Sequence, residues 1–313
     1  MLALYIAQIV VPLALIGWIA LAPQRSLAGF WVQVIATAAG LIALARTGLW
    51  LFPPWWTPYA SGLLLVAAMG FALRRRPPAT RWPSGLRAYA VIIGFALLGM
   101  FATNMARLAL AGAQQPAGPS IALASSLGAG QYLVANGGAS TLVNAHADIL
   151  DQSVPAHRNW RGTAYGVDLV AIDSWGLRAD GVMPPDPSRY HIFGMPVVSP
   201  CAGEVIAAVD GLPDMQVPKV DAVNLAGNHI ILRCGGTDVV LAHFQRGSVQ
   251  VRTGERLAVG APIALVGNSG GSSEPHLHIH AQAPADRDAP LSGEPIPMTL
   301  GGRFLVRSDQ FSP

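Results

Sequence analysis

Along roughly the first 113 residues the apolar positions form long unbroken stretches, and after about residue 120 they form short alternating segments parted by Gly, Pro, Asn and Asp. Residues 2–21, 28–45, 59–73 and 89–113 are the apolar stretches. A helix needs about 20 residues to cross a bilayer core, so the pattern predicts about four transmembrane helices. The third stretch is short unless the segment from Gly48 contributes, and Pro53-Pro54 interrupts that segment. Trp50, Trp55, Trp56 and Tyr59 cluster there as an interfacial aromatic belt does. Residues 2–21 lack the basic flank and small-residue cleavage site of a signal peptide.

The second half reads as strands. Residues 203–209 run into the turn pair Asp210-Gly211, and 228–233 and 238–243 flank Cys234-Gly235-Gly236-Thr237, a hairpin signal. Residues 249–251, 256–258, 263–266 and 276–282 continue the series. Between the halves, residues 111–120 (AGAQQPAGPS) have linker chemistry. The predicted organisation is a helical membrane region over 1–113, a linker over 114–136, and a mainly-β, antiparallel domain over 137–313.

Composition sharpens this division. The chain is 52% hydrophobic and 12% charged, with mean hydropathy +0.41, too apolar for an ordinary soluble chain. No Asp or Glu precedes Asp148, so residues 1–147 carry eight arginines (+8), and 148–313 carry 17 acids against the remaining 12 bases (−5), which together give +3. The basic half is the apolar half and lacks interleaved basic and aromatic residues, which argues against a nucleic-acid partner. Collagen, disorder and a small disulfide scaffold are excluded by the same composition. Arg74, Arg75, Arg76, Arg81 and Arg87 fill the loop between the third and fourth stretches. The positive-inside rule makes that loop cytoplasmic. Arg25 then also falls inside and Arg46 outside, and the C-terminal half lies outside the cytoplasm. In an oxidising space Cys201 and Cys234, each at a strand end, are candidates for a disulfide, with two free buried thiols as the alternative.

All eight histidines lie from His146 onward. His276-Leu277-His278-Ile279-His280 alternates as a strand does, so three imidazoles share one face. Three adjacent imidazoles repel one another when protonated and leave ring nitrogens unpaired when buried and neutral. A divalent metal resolves that by taking lone pairs; the alternative is a solvated polar strand face. Before them, residues 267–275 form a polar, glycine-rich loop through which a substrate could reach the strand. His243 ends an apolar segment. Asp168 sits inside another, Tyr165-Gly166-Val167-Asp168-Leu169-Val170. A buried carboxylate needs a metal, a cation or several donors, so Asp168 is the best oxygen-ligand candidate, with an ion pair to Arg161 as the competing explanation.

These residues resemble the M23 metallopeptidases, the lysostaphin or LytM-type endopeptidases that cut peptide cross-links in bacterial peptidoglycan. The resemblance covers about residues 137–285. It rests on Gly166-x-Asp168, on the 193–205 stretch (FGMPVVSPCAGEV), on Gly227-Asn228-His229, on Leu241-Ala242-His243, and on Gly260-x-Pro262-Ile263 leading through Gly267-Asn268-Ser269-Gly270 to Pro275-His276-Leu277-His278. It implies a Zn²⁺ held by Asp168 and His278, with His276 and His243 as the catalytic pair. The family's first ligand stands four residues before the Asp, and here that position is Ala164. His146, in an Asn-and-His segment, is the expected third ligand; His157 is its competitor, His191 a weaker one, and His280 shares the face of His278. The reading that follows is a membrane-anchored zinc endopeptidase of the bacterial cytoplasmic membrane, its extracytoplasmic domain acting on peptidoglycan peptides. The alternative is a catalytically degenerate M23-like domain that binds cell wall or regulates other hydrolases. A further reading makes the spans a transporter or sensor. They contain no acidic residue, which excludes coupling through an intramembrane carboxylate and favours anchoring.

Overall fold

The computed structural model describes residues 6–22, 26–75, 77–286 and 288–313; the start of the first apolar stretch, Pro23-Gln24-Arg25 and Arg76 lie outside the described residues. The chain divides into two compact units, Met1–Ala111 and Gly112–Pro313.

The first unit is helical: α1 (Ile6–Leu21), α2 (Leu27–Thr47), α3 (Thr57–Arg75) and α4 (Leu86–Gly112). With 21, 19 and 27 residues, α2, α3 and α4 are long and apolar enough to cross a membrane, whereas the described part of α1 is shorter. The third stretch gains nothing from Gly48, because Pro53 and Pro54 cannot sit inside a helix and the segment before Thr57 forms turns. Ser26 caps α2 by accepting a hydrogen bond from the Gly29 N–H at 3.2 Å. Phe30, Val34 and Leu41 of α2 pack with Ile16 and Ile19 of α1 and Leu65 of α3. Trp18 and Gln33 pair their polar atoms, as a low-dielectric setting favours: Trp18 Nε1 donates to Gln33 Oε1 at 2.7 Å. On α4 large apolar side chains such as Leu97, Met100 and Phe101 point outward, which suits a surrounding of lipid rather than water.

The second unit is built on an antiparallel sheet. Its path runs β13 (Gln310–Phe311), β2 (Tyr132–Asn136), β3 (Val167–Ala171), β10 (Leu277–Gln282), β7 (Thr237–Phe244), β6 (Asn228–Cys234), β5 (Gly203–Val209), β8 (Arg256–Leu257), with β11 (Pro295–Ile296) also on β10. Two small ladders flank it: β1 (Ile121–Leu123) parallel to β12 (Met298–Leu300), and β4 (Pro196–Val198) antiparallel to β9 (Pro262–Leu265). Between β6 and β7, Gly235 and Gly236 form a two-residue turn with φ of 55° and 91°, the positive-φ geometry that Gly-Gly hairpins adopt at no steric cost. One face of the sheet carries the core, with Val167, Leu169, Leu241, Leu277 and Ile279 packed together. The opposite face carries Asp168 of β3 and His278, His280 and Gln282 of β10, with the apolar Val240 and Ala242 of β7 beside them.

Two expectations change. Residues 114–136 are not simply a linker, because they contain β1 and β2, which pair with strands from the far end of the chain. Residues 249–251 are not a strand; the Val249 N–H donates to the Asp210 carboxylate at 3.2 Å and the Gln250 N–H to the Ile263 carbonyl at 2.8 Å, satisfying the backbone outside any ladder. Two 3₁₀ segments, Ala145–Leu150 and Pro155–Tyr165, form an insertion between β2 and β3. Cys201 and Cys234 are disulfide-bonded with Cα atoms 6.0 Å apart. They lie at the adjoining ends of β5 and β6, where Glu204 stands opposite Arg233.

Candidate functional site

The register of the sheet assembles the site. His278 of β10 stands opposite Asp168 of β3 on one side and Ala242 of β7 on the other, so Asp168 and His278 emerge side by side from the polar face. Asp168 Oδ1 is 2.9 Å from His278 Nδ1 and 3.5 Å from His276 Nε2. Its other oxygen accepts from Asn136 Nδ2 at 2.8 Å and lies 3.6 Å from His146 Nε2. Arg161 is not its partner, being paired with Glu294 at 2.7 Å. Burial alone would raise the Asp168 carboxyl, but the imidazoles of His146, His276 and His278 outweigh it and hold the group well below the usual carboxylate range.

His146 comes from the insertion. Asn144, fully buried, caps the first 3₁₀ segment; its Nδ2 donates to the Gly138 and Gly166 carbonyls at 2.9 and 3.0 Å. Its Oδ1 is therefore the end that faces His146 Nδ1, at 3.0 Å. An amide oxygen only accepts, so His146 Nδ1 carries the proton and Nε2 turns a lone pair toward Asp168. Burial, reinforced by His278 and His276 against the opposing pull of Asp168, pushes the His146 imidazole down to about 4.

His243 reaches the site through an irregularity. Strand alternation would place it on the core side, next to Leu241. A register shift between Asn228 and Ile230 opposite it, together with φ of 66° at His243, turns its ring onto the polar face. A non-glycine residue with positive φ is uncommon, and such strain in a bulge beside a polar cluster is a mark of a functional position. His243 Nδ1 is 2.9 Å from the Ser269 carbonyl and His276 Nδ1 is 2.8 Å from the Glu274 carbonyl. Both Nδ1 atoms must donate, which leaves both Nε2 lone pairs free for the site. The two rings lie 4.8 Å apart, and that of His243 is 5.8 Å from His278. Burial, then the neighbouring His276 and His278, holds His243 well below the ordinary imidazole range.

Among the described residues, two triads have ligand atoms within 4.8 Å of one another: His146 with Asp168 and His278, and His243 with His276 and His278. The first is two imidazoles and a carboxylate, a donor set suited to Zn²⁺. Gly166 leaves room for both rings, since a Cβ there would stand 2.7 Å from His278 Cε1 and 3.3 Å from His146 Nδ1. His157 does not join either triad; its Nδ1 bonds the Asp151 carbonyl at 3.0 Å. His191 is exposed and elsewhere. Ala164 is fully buried in the second 3₁₀ segment.

Several supporting residues carried no sequence signal. Arg307 donates from Nη2 to Asn136 Oδ1 at 2.7 Å, which orients the amide that holds Asp168. Arg178 grips Glu274 through two bonds of 2.8 and 2.7 Å, both side chains largely buried, and so fixes the carbonyl that bonds His276. Beside the cluster opens a cavity of about 440 Å³, walled by Ile149, Trp160, Leu225, Val240 and Leu291 and bounded by His146 and His243.

Residues 191–290 match Peptidase family M23, which bears out the resemblance read from the motifs. No curated protein matches the chain. Among solved structures, the antimicrobial peptidase lysostaphin from Staphylococcus simulans is similar at 20% identity, with 40% of each chain covered and a TM-score of 0.27. A zinc-containing peptidase from Vibrio cholerae is similar at 21% identity, over 36% of this chain and 35% of that one, with a TM-score of 0.23. The chain thus spans well under half the length of these relatives.

Proposed function

We propose that this chain, whose C-terminal unit carries the M23 match, is a membrane-anchored zinc endopeptidase that hydrolyses peptide bonds of bacterial peptidoglycan. The observation that carries the reading is the convergence of His146, Asp168 and His278 with His243 and His276 on one face of the sheet. Asp168, His278 and His146 would hold the metal. A zinc ion bound there supplies Lewis acidity, polarising a peptide carbonyl and lowering the pKa of an attacking water toward neutrality. The protein supplies the rest. His243 and His276, each with Nδ1 committed to a backbone carbonyl, present Nε2 as the atom that takes a proton from water and then, protonated, hydrogen-bonds the developing oxyanion or returns the proton to the leaving amine. The apolar cavity lets one flank of a peptide lie against the site while excluding water from it. No covalent nucleophile is required.

The degenerate-domain reading draws on Ala164. His146 counters it, because a nitrogen from elsewhere in the chain stands in the cluster where a third donor is needed. The arginine-rich loop between α3 and α4 supports placing the C-terminal unit outside the cytoplasm, and α2 to α4 then act as its anchor. The test is zinc content of the purified full chain together with hydrolysis of peptidoglycan peptides. One zinc per chain and cleavage lost in His276→Ala support the reading; metal-free protein without activity favours the degenerate domain, and activity untouched in His276→Ala overturns the mechanism.

A further inference from the structure

The third imidazole of the 276–280 stretch has no role in the reaction as described, yet it is 1% exposed and in contact with the cluster. His280 shares the face of β10 with His278 and Gln282 and stands opposite Val240 of β7. Its Nδ1 lies 2.8 Å from His278 Nε2. Across such a contact one nitrogen donates and the other accepts, and the metal reading says which. His278 Nδ1 faces Asp168 and must keep its lone pair to bind a metal beside that carboxylate. The His278 proton then sits on Nε2, and His280 Nδ1 accepts it.

That choice fixes the next link. With Nδ1 accepting, His280 carries its own proton on Nε2, a buried atom without a hydrogen-bond partner among the described residues. Two residues on, Gln282 Oε1 is likewise buried and without a partner. The amide cannot be reversed at no cost, because Gln282 Nε2 donates to the Pro290 carbonyl at 2.7 Å. A donor lacking an acceptor thus shares a strand face, two residues apart, with an acceptor lacking a donor. In the opposite polarity His280 Nε2 would turn a lone pair toward the amide oxygen, leaving two buried acceptors facing each other, which is costly. Gly162 of the insertion lies against this amide, and a Cβ there would collide with Oε1, so the amide is held in place from above.

We propose that His280 and Gln282 are positioning residues that set the tautomer of His278, the oxygen of Gln282 holding a proton on His280 Nε2 and His280 Nδ1 holding a proton on His278 Nε2, so that His278 Nδ1 is delivered as a metal ligand. The proposal rests on the metal reading above. Outer-shell partners of this kind typically change metal affinity 10- to 100-fold.

The test measures zinc affinity of the full chain in detergent micelles by competition with a chelating dye, in unsubstituted protein and in His280→Leu, His280→Asn and Gln282→Leu. Asn at position 280 keeps an oxygen near the place of Nδ1; Leu keeps the bulk and removes the acceptor. His280→Leu is expected to weaken zinc binding about 10- to 100-fold, Gln282→Leu to weaken it less, and His280→Asn to stay within a few-fold of the unsubstituted chain. Far-ultraviolet circular dichroism of each zinc-free variant checks folding. Should His280→Leu not fold, ¹⁵N-histidine spectra of the zinc-loaded unsubstituted chain decide, with protons expected on Nε2 of both His278 and His280. Unchanged affinity in folded His280→Leu, equal losses in the Leu and Asn variants, or a proton on His280 Nδ1 overturns the proposal while leaving the metal reading intact. An unsubstituted chain that takes up no zinc overturns both.

Discussion

Asp168 and His278 stand directly opposite each other on adjacent antiparallel strands, with carboxylate oxygen and imidazole Nδ1 2.9 Å apart. The pair needs no loop to bring it together, because the β3–β10 register does so. Removing either group should therefore cost metal without unfolding the sheet. Asp168→Ala and His278→Ala are expected to weaken zinc binding by more than about 100-fold, beyond the loss of an outer-shell partner, as measured by chelator competition. Retained affinity in Asp168→Ala would place the metal elsewhere.

The third donor can be assigned by a paired comparison. His146→Ala is expected to lose zinc about as severely as Asp168→Ala, and His157→Ala to retain it, since His157 lies outside both triads. The reverse result, read in the same competition assay, would hand the third position to His157. Asn144→Ala should fall between them, because it frees the His146 ring while leaving its nitrogen present.

His243 and His276 differ from these in the effect expected. His243→Ala should lower kcat about 10²- to 10⁴-fold, the range of a lost general base, with zinc content unchanged. Alanine keeps a Cβ at a φ of 66° and so leaves the backbone strain of the bulge in place; an unraised midpoint of thermal unfolding alongside lost activity is the expected signature. Loss of zinc from this variant would instead make His243 a ligand.

Acid should destabilise the metal-free chain in a defined window. In the unfolded chain His146 titrates near 6.5, and in the folded one near 4. Between these values the unfolded state binds the extra proton, so stability is complete above about pH 6.5, falls as pH drops toward 4 and levels off below. Burial of His243 and His280 acts in the same direction. For His146 the shift corresponds to at most about 3 kcal/mol at 1.36 kcal/mol per unit, less in practice because 24% of its side chain stays open to solvent. Denaturant unfolding of chelated protein from pH 7.5 to 4 checks this; a flat profile would mean that His146, His243 and His280 are not held neutral by burial.

Cutting the Cys201–Cys234 bridge should act on stability and leave the site alone, since both cysteines lie at the end of β5 and β6 away from His243. Cys201→Ser with Cys234→Ser is expected to lose about 2–4 kcal/mol, seen as a lower thermal midpoint with zinc affinity unchanged.

Much of the site is legible in the sequence where its geometry is local. His276 and His278 share a face because a strand alternates, and Asp168 stands out because a carboxylate inside an apolar segment needs a reason. The bulge at His243 is not local, depending on a register shift against Asn228 on another strand. His146 could only be one of several candidates, since its place is set by Asn144 reaching the carbonyls of Gly138 and Gly166. Asn136, Arg178 and Arg307 gave no signal because asparagine and arginine are ordinary on loops and strand ends, and their importance lies wholly in what they touch. Residues 114–136 read as linker for a similar reason: β1 and β2 find their partners at 298–300 and 310–311, beyond the reach of any local pattern.

The donors of the proposed metal site belong to two layers, Asp168 and His278 to the sheet and His146 to the 3₁₀ insertion. Ordering of that insertion and filling of the site are then two sides of one equilibrium. Whatever steadies residues 145–165, a peptide lying along Trp160 and Ile149 included, raises metal affinity by some factor, and by linkage the metal raises the affinity for that peptide by the same factor. Substrate and cofactor would each recruit the other, and the chain would hold its zinc most firmly when it has something to cut.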